Sequence, residues 1–384
     1  MIRGSETFIF VSPKDNPSYI IHLDCRLVEL QDLRNRIDEL DDQLLGILNE
    51  RMELVQKVGE LKRSSNSIIY RPEREKQILD RLEKRNAGLL TRQAIDAIFF
   101  EIFAVSRNLE LPERISYLGP EGSFTHQAAE SRFGAMSEYL VLPTIHSVFE
   151  SVETGRAKFG VVPIENNQEG IVIETVDFLR DKNLTIVAEV MLPVHFTFAS
   201  QSDSLKDIRR IYSKDIAFRQ CGKFIHEYLE GMDVELVPVE STSKAAKMAA
   251  SEPDSAAICS SISARLFGVP VLYDNIEDSD QNRTRFLILS KDVVNARSDD
   301  DKTTIIANLP NSNRPGILYE FLKEFNDRGI NLTKIESRPQ RGEATFRAWF
   351  LVEFLGHVED PAIQEIMHIY GTHLKWLGSY VRIS

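Results

Sequence analysis

The chain has 384 residues, 42% hydrophobic and 27% charged, an ordinary balance for a globular protein long enough to hold two or three domains with their own cores. A formal net charge of −12 speaks against a nucleic-acid partner, which would favour a basic face. Cys25, Cys221 and Cys259 stand far apart with no C-x-x-C pair, and no apolar run approaches the roughly 18 residues that span a membrane, so a disulfide framework, a zinc site and a membrane span are not indicated.

Residues 1–24 contain only a four-residue apolar run and no small-residue cleavage site, so a signal peptide is not expected and a reducing cytoplasm is the expected compartment. This extension has no assigned role. Residues 25–112 read as all-helical. Leu30, Leu33, Ile37, Leu40, Leu44, Ile47, Arg51, Leu54, Val58 and Leu61 follow alternate spacings of three and four, a heptad seam. A helix of that length, about 50 Å at ~1.5 Å per residue, outruns a small core and calls for a partner helix from a second copy of the chain. Pro72 opens a second helix and Thr91 is the expected N-cap of a third.

An arginine in an apolar seam has two readings. Its stem can lie along the stripe while its head reaches water. Alternatively it belongs to an anion site. Lys62 lies 11 residues on, about 20° around the helix at ~100° per residue, and so shares the face of Arg51. Gly46 and Gly59 each cost roughly 1 kcal/mol against Ala in mid-helix, which points to something packed close to the backbone. Arg and Lys on one face suit a small dianion.

The segment "LRNRIDELDDQLLGILNERMELVQKVGELK", followed by "YRPERE", resembles the all-helical chorismate mutases. The resemblance implies two chains with intertwined first helices. It makes Arg34 the arginine lent to the partner's site, Arg51 and Lys62 substrate ligands of their own subunit, and Arg74 and Glu75 continuations from the second helix. Glu110 closes the site from the third helix, in a slot where many relatives carry Gln. Chorismate rearranges to prephenate in one pericyclic step, so the site has to hold a compact geometry and stabilise negative charge on the breaking ether oxygen. Lys62 is the expected donor to that oxygen. Glu110 can help only when protonated. Arg71 stands where some relatives have an acid and is left out of the site.

Residues 113–291 alternate short β-branched runs with helical stretches, which predicts an α/β unit with a largely parallel sheet, split into two lobes around a cleft. "YLGPEGSFTHQAA" places Ser123 and Thr125 at a helix N-terminus, where they either cap the helix or receive a carboxylate. "VVPIENNQEG" ends a buried strand at Glu165 and Asn166. These motifs, with "STSKAA", Gln220 and "NRTRF", resemble prephenate dehydratases. The resemblance makes Thr284 the proton donor to the departing hydroxyl, Arg285 a carboxylate ligand, and Asn166, Gln220, Ser123 and Thr125 substrate-positioning residues. The alternative for Thr284 is plain cross-strand pairing. Asn167 departs from the usual Ser or Thr, and Ser213-Lys214-Asp215 from the usual Ser-His-Pro.

Residues 292–302, "DVVNARSDDDK", read as a polar linker. Residues 303–384 follow the order βαββαβ, the ferredoxin-like pattern. "NRPGILYEFLKEFNDRGINLTKIESRP" resembles the ACT-type amino-acid-binding domain of the phenylalanine-responsive group. That implies Gly316, Asn331 and Leu332 as effector contacts at an interface between paired domains; the plainer alternative is a dimerisation domain.

The expected architecture is therefore an intertwined all-α dimer domain, a two-lobed periplasmic-binding-protein-like α/β domain and an ACT domain. The expected function is a bifunctional enzyme taking chorismate to prephenate and then to phenylpyruvate, inhibited by L-phenylalanine, without metal or redox cofactor. The expected partners are chorismate, prephenate, L-phenylalanine and further copies of the chain, with no nucleic acid and no membrane. Two competing readings are a dehydratase whose helical domain is idle and a non-catalytic amino-acid sensor.

Overall fold

The computed structural model describes residues 25–64, 72–110, 114–134, 137–298, 300–310, 314–340 and 348–382; the side chains of residues 25–29, 62–64, 72–73, 108 and 110 fall outside that description. Three helices come first, α1 (Cys25–Ser64), α2 (Pro72–Arg85) and α3 (Arg92–Glu110). The 40 residues of α1 extend about 60 Å at ~1.5 Å per residue. Its apolar seam stays exposed, with Leu33 at 62% and Ile47 at 63%. Pro72 begins α2, where its missing N–H has no helical acceptor to satisfy. Thr91 caps α3, its hydroxyl accepting from the N–H of Ala94 at 3.2 Å. The helix as far as Leu54 forms one unit and Val55–Ser384 a second.

The first lobe of the α/β region contains β1 (Arg114–Leu118), α4 (Phe124–Phe133), β2 (Glu138–Leu142), α5 (Ile145–Glu153), β3 (Phe159–Asn166), the short β4 (Gly170–Ile171), α6 (Ile173–Asp181) and β5 (Thr185–Pro193). The chain then builds the second lobe from β6 (Thr197–Ser200), β7 (Arg210–Ser213), α7 (Asp215–Gln220), α8 (Gly222–Leu229), β8 (Glu235–Pro238), α9 (Thr242–Ser251), β9 (Ser255–Cys259), α10 (Ser261–Leu266) and β10 (Val271–Tyr273). It re-enters the first lobe as β11 (Arg283–Ser290), which inserts between β3 and β5. The largely parallel sheet expected from the β/α alternation is only half right. Pairs β2-β1-β3 and β9-β7-β8 are parallel, but β11 is antiparallel to both neighbours because it returns from the far lobe, and β6 and β10 also pair antiparallel.

Both faces of the first sheet are covered, so its central strands read as near-continuous apolar runs. Val162, Ile164, Leu287 and Leu289 join the core on one side; Phe159, Val161, Phe286 and Ile288 join the core on the other.

The last unit comprises β12 (Asp301–Ala307), α11 (Ile317–Asp327), β13 (Leu332–Pro339), β14 (Ala348–Leu355), α12 (Pro361–Tyr370) and β15 (Leu374–Val381). The antiparallel order β13-β14-β12-β15 is ferredoxin-like. Its helices cover one face. The opposite face shares a core with the first lobe, where Ile306, Trp349, Leu351 and Leu377 meet Leu287 and Leu289. The approach is close enough to require a glycine: a Cβ on Gly378 would sit 2.1 Å from the carbonyl oxygen of Ile186.

The segment expected as a polar linker is packed at several positions. Val293 and Asn295 are buried, the Asn295 amide donates to the carbonyls of Val187 and Ser379, and Asp301 and Lys302 already belong to β12. Its polar residues hold two domains together, which composition alone does not distinguish from solvation. No described helix is long and apolar enough to cross a membrane.

Candidate active sites

Strand register sets Thr284 directly opposite Asn166 across the β11–β3 pair. The Asn166 side-chain oxygen accepts the N–H groups of Gln168 and Glu169 at 2.9 and 3.0 Å, which turns its amide nitrogen the other way. That nitrogen lies 2.9 Å from the Thr284 hydroxyl and 2.8 Å from the Asn282 side-chain oxygen. Asn166 therefore donates to Thr284, and the threonine keeps its own proton for a further acceptor. Gln220, at the end of α7 in the second lobe, donates to the Gln168 side chain at 2.7 Å and accepts weakly from Asn282 at 3.4 Å. The structure thus brings Asn166, Thr284 and Gln220 together where the lobes meet.

Asn282 and Gln168 complete this network and were missed. Both stand in stretches singled out by sequence, but nothing in spacing says that these amides bridge the lobes. Asn167 uses its amide to donate to the Gln281 carbonyl and its oxygen to accept the Arg283 N–H at 3.0 Å, so the departure at this position pins the start of β11. In the other divergent segment, Ser213 donates to the Ile258 carbonyl and Lys214 occupies the N-cap position of α7.

Ser123 is occupied as a cap. Its hydroxyl accepts the His126 N–H and donates to the Leu118 carbonyl, both at 3.2 Å. The capping reading describes these contacts. Thr125 is buried in the first turn of α4. The loop before them is clamped by the second lobe. Ser243 donates to the Glu121 carbonyl, and Ser260 and Ser263 donate to that of Gly122. Gly122 has φ +81°, and a Cβ there would lie 2.8 Å from the Ser263 hydroxyl. His126 stacks on Tyr117, and its Nδ1 accepts the Gly122 N–H at 3.1 Å, which requires the neutral ring. Burial lowers its pKa in the same direction.

Arg285 does not face this cleft, and its role as a substrate carboxylate ligand is corrected here. Successive strand residues point to opposite faces, so Thr284 and Arg285 serve different sides. The Arg285 guanidinium is buried and binds Glu353 at 2.8 and 2.9 Å, Glu189 at 3.1 Å and Glu165 at 3.1 Å. Lys302 pairs with Glu189 and Glu353, and Lys334 with Glu165. Three cations thus face three carboxylates, and the neighbouring carboxylates push the Arg285 pKa further up despite burial, which lowers it.

In the helical region, Arg34 is exposed and Arg51 half-buried, both on α1. Arg74 is exposed on α2. The carboxylate of Glu75 on α2 pairs with Arg107 of α3 and, at 3.5 Å, with Arg132 of α4, so it also ties α2 to the α/β domain. The side chains of Lys62 and Glu110 lie outside the described residues, as do Arg71 and residues 1–24.

In the last domain, Gly316 takes the left-handed conformation, φ +86°, just before α11, and a Cβ there would meet nothing within 4 Å. Asn331 and Leu332 follow α11 at its other end. The 11 residues of α11 separate the two positions by about 16 Å at ~1.5 Å per residue, so one chain does not bring all three to a single small ligand.

Family models match the chain in three successive stretches: chorismate mutase type II over residues 33–111, prephenate dehydratase over residues 115–294 and ACT domain over residues 311–370. The bifunctional chorismate mutase/prephenate dehydratase of Aquifex aeolicus is 37% identical over 362 residues, covering 92% of this chain and 98% of its own. That of Pseudomonas aeruginosa is 38% identical, covering 92% and 97%. Among solved structures, the prephenate dehydratase of Arthrobacter aurescens in complex with L-Phe is similar at TM-score 0.62 and 33% identity, over 70% of this chain and 90% of that one.

Proposed function

The chain belongs to the bifunctional chorismate mutase/prephenate dehydratases, and from that membership we propose how its residues divide the work. The protein rearranges chorismate to prephenate, converts prephenate to phenylpyruvate, and is regulated by L-phenylalanine. Mutase work belongs to residues 25–112, dehydratase work to 113–291 and effector sensing to 303–384.

The observation that carries the dehydratase assignment is the Asn166–Thr284 pair at the lobe junction. Asn166 fixes the threonine oxygen by donating to it, and the hydroxyl proton points to the leaving group. As the ring carboxylate departs as carbon dioxide, the electrons of that carbon–carbon bond aromatise the ring. The ring hydroxyl takes the proton and leaves as water, and solvent reprotonates Thr284. Aromatisation supplies the driving force, so a weak acid held in place suffices. Gln220 holds the substrate from the second lobe.

In the mutase, Lys62 meets the breaking ether oxygen, and protonated Glu110 supports it. Arg51 and Arg74 hold the carboxylates, with Arg34 supplied by a second chain. Arg34 and Arg51 are 17 residues apart on one straight helix, about 25 Å at ~1.5 Å per residue, so no single α1 can offer both to one small molecule. The exposed seam of α1 is the surface on which that second copy packs. Paired ACT domains solve the same difficulty for Gly316 and Leu332, each site taking one end of α11 from each copy. Buried free thiols at Cys221 and Cys259 support a cytoplasmic location.

Incubating the purified chain with chorismate tests the assignment. Phenylpyruvate is the expected product, and its formation falls when L-phenylalanine is added. Accumulation of prephenate alone overturns the dehydratase assignment.

A further inference from the structure

The buried charge cluster has a place in the chain that its energetics do not explain. Desolvating six charges costs several kcal/mol per ion before pairing offsets it, and well-packed apolar residues often do as well. Here the cluster joins two particular strand ends. Glu165 immediately precedes Asn166, and Arg285 immediately follows Thr284. Register sets Glu165 opposite Arg285 just as it sets Asn166 opposite Thr284. The Glu165 carboxylate is held at both oxygens, one by Arg285 at 3.1 Å and the other by the Lys334 ammonium. Lys334 is on β13, two residues beyond Leu332, in the stretch assigned to effector contact. The opposing Lys334 and Arg285 charges overcome the burial that pushes the Glu165 carboxyl up, and hold it below its usual range.

We propose that Lys334 and Glu165 are positioning residues for the dehydratase: the Lys334–Glu165–Arg285 bridge holds the ends of β3 and β11 so that Asn166 and Thr284 stay in register, and phenylalanine bound beside β13 inhibits by drawing Lys334 off Glu165. This rests on the dehydratase and effector assignments above. The bridge is separable from docking of the regulatory sheet. Arg338 also reaches Asp177 of α6 at 3.7 Å, Lys375 donates to the carbonyls of Leu179, Arg180 and Lys182, and the Gly378–Ile186 backbone approach remains. Loss of Lys334 therefore leaves the sheet attached and removes only its grip on Glu165.

The test compares full-length parent, Lys334→Met, Lys334→Arg, Glu165→Gln and the double variant Lys334→Met/Glu165→Gln. Each is assayed for mutase activity, for dehydratase kcat and KM, for phenylalanine binding by calorimetry and for inhibition at saturating phenylalanine. Lys334→Met is expected to keep mutase activity within about twofold, to bind phenylalanine more tightly than the parent because no bridge opposes binding, and to lose roughly tenfold in dehydratase kcat, with KM little changed, as for a group acting through transition-state geometry. Its remaining activity is insensitive to phenylalanine although phenylalanine still binds. Lys334→Arg restores kcat and inhibition, and the double variant is no worse than the more affected single one, as a shared bridge requires. Undiminished phenylalanine inhibition in Lys334→Met overturns the proposal. So does a raised KM at parental kcat, lost phenylalanine binding, or multiplying effects in the double variant. If Lys334→Met does not fold, the isosteric Glu165→Gln decides alone by the same inhibition readout. A parent chain that neither binds nor responds to phenylalanine refutes the effector assignment instead, and the kcat loss with Lys334→Arg rescue still decides positioning.

Discussion

Replacing Thr284 by Val removes one hydroxyl and little else. In the folded protein the Asn166 amide then loses one acceptor but keeps two, the Asn282 side-chain oxygen at 2.8 Å and the Arg283 carbonyl at 3.2 Å. No buried donor is left unpaired, so the cost to folding is that of one ordinary hydrogen bond, about 1 kcal/mol. For a domain of this size that lowers Tm by roughly 2–4 °C. Catalysis loses the proposed general acid, a kind of group that contributes about 10²–10⁴-fold, or roughly 3–5 kcal/mol of barrier. The expected result is a dehydratase kcat at least about 100-fold down in a protein that melts almost normally, with mutase activity unchanged as the internal control. Thr284→Ser, which restores a hydroxyl, should recover most of the rate. Prephenate turnover by stopped assay and a thermal melt measure both quantities on one preparation. Thr284→Val turning over prephenate within about threefold of the parent would refute the proton-donor role and leave Thr284 as a cross-strand pairing residue.

Other expectations follow from the same geometry. Mutase kcat/KM should fall as pH rises, because only a protonated Glu110 can donate to the ether oxygen; Glu110→Gln should flatten that profile, and an unchanged profile excludes the role. Chains carrying Arg34→Ala or Arg51→Ala should each lack mutase activity, yet a one-to-one coexpression should regain about a quarter of it, since one site in four is then intact by symmetry; no recovery would rule out a lent arginine. Gly378→Ala drives a methyl into the Ile186 backbone, which cannot turn away, so overpacking of about 1–3 kcal/mol should appear as a lower Tm. A parental melting curve would show that the two sheets are not held this closely.

The sequence rhythm foretold the helices well. The 3-4 spacing from Leu30 to Leu61 lies wholly within α1, and Pro72 and Thr91 sit where a helix start and a cap were expected. The βαββαβ order of the last domain was equally plain, because each of its strands is flanked by turn residues. What escaped were relationships between residues far apart in the chain. Period-two alternation was enough to warn that Thr284 and Arg285 cannot both face one substrate. It could not say that Arg285 meets Glu353, which lies 68 positions away in another domain. Asn282 and Gln168 are ordinary loop amides until the lobes close on them. Polar composition made 292–302 read as a linker, yet Asn295 and Lys302 are buried because partners for them arrive from both domains. The pairing of Glu75 with Arg132 escaped for a similar reason, since Arg132 lies beyond the helical region.

The return of β11 into the first sheet also bears on how the chain is made. Until residue 290 has been synthesised, β3 and β5 have no strand between them, and the whole second lobe has to be produced while that gap stays open. Pairing Glu165 with Arg285 closes a loop of about 120 residues, the kind of distant contact that slows folding and leaves strand edges able to find wrong partners. The Asn166–Thr284 pair therefore cannot form on a nascent chain until the second lobe has been made. A product truncated between β10 and β11 can carry a finished second lobe and still lack Thr284, the acid proposed to act on prephenate.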